Sequence, residues 1–99
     1  MSEDLGYKYE EGKEVYKEVT LYALSTCGFC KQAIYFLRHN EIKFRYLYMD
    51  ELEIEAKRKL KAALKEKFKH AVGFPYLVID DEALVGFREE QWREKFSLE

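Results

Sequence analysis

The stretch from Glu18 to Met49, EVTLYALSTCGFCKQAIYFLRHNEIKFRYLYM, constrains the fold most. EVTLYAL (18–24) is β-branched and aromatic, the signature of a strand. Ala33, Ile34 and Leu37 then recur on one side at helical spacing, and Asn40 offers a stop. KFRYLYM (43–49) alternates and predicts a second strand, closed by Asp50. Strand, helix and strand joined by short connections ask for a right-handed crossover and two parallel strands. Both cysteines of the chain, Cys27 and Cys30, fall at the junction of the first strand with the helix.

The remaining sequence extends this unit. Ala56, Leu60, Ala63, Leu64 and Phe68 form a stripe spaced by three and four, which predicts a helix over 52–69. Glu55 and Lys59 add a favourable i,i+4 pair, and Lys57, Lys61 and Lys65 read as a solvated face. PYLVI (75–79) reads as a strand, DDEA (80–83) as a turn, and LVGF (84–87) as a strand antiparallel to PYLVI. EEQWREKF sets Trp92 and Phe96 at i,i+4 in a closing helix. The order β-α-β-α-β-β-α predicts an α/β fold, a mixed four-stranded sheet with helices on both faces. It occupies residues 19–97, preceded by a polar extension at 1–18. Within that extension YKYEEGKEVYKEV suits a short hairpin or an extra strand, and the first few residues suit disorder.

A chain of 99 residues suits one domain. Its 17 basic and 19 acidic residues leave a net charge of -2, so no global field favours nucleic acid or an anionic membrane. No apolar run nears the ~20 residues that span a bilayer. MSEDLGYKYEEGKE lacks the basic start and apolar stretch of a secretory signal. The expectation is a cytoplasmic monomer, with neither nucleic acid nor membrane as partner.

Two cysteines two residues apart have three uses. They are half of a structural zinc site, but the histidines do not supply the other half. His39 lies nine residues past Cys30 on the same helix, roughly 13 Å along its axis. His70 lies beyond the next helix and offers one ligand at best. A metal or iron–sulfur centre then needs ligands from outside the chain, which is the reading of the pair as a metal-binding interaction module. A structural disulfide closing so short a loop gains little. The third use is thiol–disulfide exchange. Cys27 falls at or beside a helix N-cap, where unpaired N–H groups and the helix dipole favour a thiolate. Cys30 lies one turn in and suits the resolving role, with Lys31 adding positive potential. This third use is the best supported.

TLYALSTCGFC, GFPYLVID and LVGF, taken in this order of strands and helices, resemble the glutaredoxin and glutaredoxin-like branch of the thioredoxin superfamily. The resemblance implies that Cys27 attacks, that Cys30 resolves, and that Pro75 is a cis-proline facing the pair. It further implies a thiol–disulfide oxidoreductase with no bound cofactor. Phe29, Phe74, Pro75, Phe87 and Arg88 are the expected substrate rim, apolar with one cation. The exposed backbone of Phe74 would pair with a bound peptide or tripeptide thiol. Two positions depart from glutathione-dependent members. Leu24 stands where many carry Lys, and GFREE stands where many carry Gly-Gly. GFR is similar to a redoxin branch that takes electrons from thioredoxin reductase and serves ribonucleotide reductase, although the helix at 52–69 is long for that branch. The expected partners are therefore disulfide-containing proteins. The electron donor is glutathione or another small thiol, or a thioredoxin reductase, with Leu24 and GFR favouring the reductase.

Overall fold

The computed structural model describes residues 5–98. Along the chain run strand β1 (Lys8–Glu10), strand β2 (Val19–Ala23), helix α1 (Gly28–His39), strand β3 (Phe44–Tyr48) and a 3-10 turn (Met49–Glu51). Helix α2 (Ile54–Phe68), strands β4 (Tyr76–Ile79) and β5 (Glu82–Val85), and helix α3 (Glu89–Lys95) follow. They build a five-stranded sheet in the order β1-β3-β2-β4-β5. β2 and β3 are parallel, as the crossover through α1 requires. All other neighbours are antiparallel.

Period-two alternation sorts the core into two layers. Val19 and Leu21, Phe44 and Tyr46, and Leu77 and Ile79 point to one face, where Ala33, Ile34, Phe36 and Leu37 of α1 and Trp92 of α3 cover them. Tyr22, Leu47, Tyr76 and Val78 point to the other, where Leu60, Leu64 and Phe68 of α2 cover them. β2 and β4 are therefore buried along their whole length, which explains their nearly continuous apolar sequence. Asn40 does end α1, its amide Nδ2 and its backbone N–H both donating to the Phe36 carbonyl.

Lys8–Glu10 of the extension pairs antiparallel with β3; it is the extra strand that the extension allowed, and it adds a fifth strand to the expected four. The disorder expected for the first few residues falls at a chain start whose residues 1–4 lie outside the described residues. Elsewhere the structure differs from the sequence expectation in detail. The last hairpin turns on Asp80 and Asp81 alone, and β5 starts at Glu82. Phe87 lies beyond it: Gly86 turns the chain at φ +83, and the Phe87 ring packs edge-on against Phe36 and Trp92 at 5.6 and 4.8 Å. On α2, Ala63 is exposed, so the buried stripe narrows to Leu60, Leu64 and Phe68, while Lys57 and Lys61 are half-buried and only Lys65 is fully solvated.

The extension grips the domain beyond β1. Tyr7 donates to or accepts from the Tyr22 hydroxyl at 3.0 Å and lies under the Arg45 guanidinium at 4.0 Å. Tyr16 donates to the Lys95 carbonyl at 2.6 Å. No described helix is long and apolar enough to cross a membrane.

Candidate active site

Because β2 and β3 are parallel, the loops leaving their carboxyl ends emerge together, where open α/β sheets bind ligands. The first of these loops carries Cys27. It is the N-cap of α1, with an extended backbone (φ -92, ψ 119), and its Sγ accepts from the Cys30 backbone N–H at 3.1 Å. Helix N-caps are usually Ser, Thr, Asp or Asn, whose oxygen takes up an orphan N–H. Here a sulfur does so, at the positive end of the helix dipole. No acidic side chain occupies the first turn of α1. Both cysteines are free thiols, Cys27 half-buried and Cys30 buried.

Cys30 is 0% exposed. Burial pushes its thiol up from 9.0 to about 12, the hydrogen bond with Cys27 and the charges of Cys27 and Asp50 push the same way, and the Leu24 backbone pulls it back. One thiol of the pair is thus accessible, and the other is sealed in its neutral form. A pH prediction follows from this. Iodoacetamide near neutral pH should label Cys27 alone, and labelling of Cys30 should begin only far into the alkaline range; equal labelling of both at pH 7, read by peptide mass spectrometry, would contradict it. The raised value also has a sign for stability. The neutral Cys30 thiol favours the folded state fully below the ordinary thiol range, and this contribution is lost as pH rises toward 12.

The second loop supplies Asp50, a residue read from sequence only as a strand end. Its carboxylate accepts from the Ser25 backbone N–H at 2.9 Å and from Ser25 Oγ at 2.5 Å. The Ser25 contacts hold this carboxyl below the usual carboxylate range. Asp50 thereby ties the segment ahead of Cys27 to the end of β3. The sequence held one signal for it: an acidic residue at the end of the strand parallel to the one that carries the cysteines.

Phe74–Pro75 is a cis peptide. The five residues of the expected rim, Phe29, Phe74, Pro75, Phe87 and Arg88, line one open cleft of about 230 Å³ together with Val85 and Gly86. Cys27 and Cys30 are not in its lining, but Phe29, between them in the chain and 64% exposed, is. The Pro75 carbonyl accepts from Gly86 N–H at 2.7 Å, which holds the two sides of the cleft together, and among the described residues no turn or loop hydrogen bond engages the Phe74 backbone. His39 is exposed and stacks on Tyr35 at 5.5 Å, and His70 is exposed against Tyr76. Among the described residues no three His, Cys, Asp or Glu side chains gather at one point.

A reduced Cys-x-x-Cys pair capping the first helix of this mixed sheet, with a cis-proline opening β4, defines a thiol–disulfide oxidoreductase of the thioredoxin superfamily. The glutaredoxin family model matches residues 19–84, and the chain belongs to the glutaredoxin family. It is a glutaredoxin-like oxidoreductase that works through Cys27 and Cys30. Among solved structures, it is similar to the glutaredoxin of Methanosarcina mazei Go1, at 31% identity and TM-score 0.80, over 93% of this chain and 88% of that one. Methanoredoxin of Methanosarcina acetivorans is 34% identical at TM-score 0.74, over 82% and 85%. The glutaredoxin of Archaeoglobus fulgidus is 31% identical at TM-score 0.69, over 78% and 83%. A search of the curated proteins found no match.

Proposed function

We propose that Cys27 is the attacking thiolate and Cys30 the resolving thiol of a dithiol cycle that reduces protein disulfides. The observation that carries this is the Cys30 N–H donating to Cys27 Sγ while the Cys30 thiol itself is buried. Cys27 thiolate attacks one sulfur of the substrate disulfide; that S–S bond breaks, a Cys27–substrate disulfide forms, and the first substrate thiolate leaves. Cys30 gives its proton to the departing first thiolate and attacks Cys27 Sγ, which closes the Cys27–Cys30 disulfide and releases the second thiolate. Two electrons have passed to the substrate. The cleft of Phe29, Phe74, Pro75, Phe87 and Arg88 receives the chain flanking the disulfide, with the Phe74 backbone open to strand-like pairing.

Reset by a small thiol is the donor reading that family membership supports. Leu24 packs with the cluster of Tyr22 and Tyr76, and offers no charge to a thiol's carboxylate. Arg88, exposed in the rim, takes that part. In a recycling assay, excess glutathione or 2-mercaptoethanol should regenerate the dithiol without any flavoprotein. Arg88→Ala should slow glutathione about two- to fivefold, the worth of one exposed ion pair, and leave the uncharged thiol unaffected. Regeneration by a thioredoxin reductase but by neither small thiol would defeat the donor assignment.

A further inference from the structure

Helix α2 carries a charge pattern that the redox chemistry does not use. Its sequence IEAKRKLKAALKEKF holds six basic residues and two acidic ones, in a chain whose net charge is -2. The helix therefore carries a net positive charge, while the rest of the chain is acidic in excess. Ile54, Lys57, Arg58 and Lys61 follow the i, i+3, i+4, i+7 spacing of a single helical face, and they border one open hollow of about 330 Å³. Ile54 is 73% exposed at the first position of the helix. Arg58 leans on Glu55 at 3.3 Å. Lys57 and Lys61, both half-buried, have no salt-bridge or hydrogen-bond partner among the described residues.

The position of this face gives it meaning. α2 starts at the sheet end from which the cysteine loop also leaves. Lys57 lies near enough to Asp50 to help lower its carboxyl, and Asp50 holds Ser25, two residues before Cys27. The cationic face thus begins at the same end of the sheet as the loop that carries Cys27. Its solvated apolar side chain among cations suits a peptide, which offers an apolar side chain as well as carboxylates.

We propose that Ile54, Lys57, Arg58 and Lys61 form a docking surface for an acidic segment of the protein whose disulfide Cys27 attacks. The inference rests on the oxidoreductase reading. Cations beside the thiol raise the encounter rate with acidic partners and lower it with basic ones, and the effect falls with salt as the screening length shrinks.

The test uses the reduced full-length protein and three synthetic disulfide peptides that differ only in flanking residues: acidic, neutral or basic. Stopped-flow rate constants at low ionic strength should rank acidic over neutral over basic, with about tenfold between the extremes, and should converge at 0.5 M NaCl. Lys57→Glu, Arg58→Glu and Lys61→Glu combined should reverse the ranking, each rate being read relative to that of the neutral peptide on the same variant. The corresponding Gln variant should flatten it. Absence of ranking in the wild type, or a ranking that survives both variants, overturns the docking surface. So does α2-dependent retention on anionic vesicles or a DNA oligonucleotide without any peptide ranking. Failure to react with all three peptides would instead defeat the oxidoreductase reading.

Discussion

A Cys30→Ser variant should stop at the mixed disulfide. Mixed with an oxidised protein substrate, it should accumulate a covalent adduct whose mass is the sum of the two chains, and reductant should dissolve that adduct. The expectation follows from the asymmetry of the pair. Cys27 sits at the helix N-cap with an N–H on its sulfur, so it reacts first. Cys30 is held neutral by burial and by its bond to Cys27. The Leu24 backbone favours the Cys30 thiolate. Well-oriented intramolecular reactions have effective molarities of about 10⁵ M or more, so millimolar external thiol cannot match Cys30. Turnover on protein disulfides should fall on the order of 10²-fold or more. Cys27→Ser should form no adduct and show no turnover. Because Ser retains a polar group in a closed site, Cys30→Ala serves as a second variant, and adduct formation by either supports the scheme. Unchanged turnover in both would mean that the second half of the cycle belongs to an external thiol.

The legible part of this molecule was what repeats or what is chemically rare. Strand and helix periods gave the element order, and the two layers of core follow from the same alternation of Val19, Leu21 and Tyr22. The cysteine pair pointed to the helix cap, and the five rim residues, scattered between positions 29 and 88, do meet in one cleft. The less legible parts depend on partners far along the chain. Three residues of β1 are too few to show a period, and are a strand only because β3 offers an open edge. Phe87 reads as strand because it is aromatic after Leu84 and Val85, but its ring belongs with Trp92. Asp50 looks like punctuation until Ser25, 25 residues earlier across the βαβ unit, is seen against it. The lysines of α2 read as solvated face because spacing cannot show that the face begins beside the cysteine loop.

Gly12 offers the sharpest check on the extension, and Gly12→Ala should destabilise the protein strongly. A Cβ at this position would stand 2.6 Å from Glu41 O and Ile42 C and 2.7 Å from Lys43 N. All three are backbone atoms, so no side chain can rotate away, and the crossing itself must open. That crossing is held by Lys13 N–H on Glu41 O at 2.7 Å and by Lys43 N–H on Lys13 O at 2.8 Å. Losing two such bonds costs about 1–3 kcal/mol, to which displacement of the flanking β1 and Tyr16 attachments adds. At about 4–8 °C per kcal/mol for a domain of this size, Tm should fall by roughly 10–20 °C. Gly28→Ala is the control. Nothing lies within 4 Å of its added Cβ, and it opens α1 with an ordinary backbone, so Ala there should leave stability equal or raise it by about 0.5–1 kcal/mol. Equal melting curves for Gly12→Ala and wild type would mean that residues 5–13 are an appendage on an independent domain. A large drop at Gly12 alone would make the extension a structural part of the sheet that holds the cysteine loop.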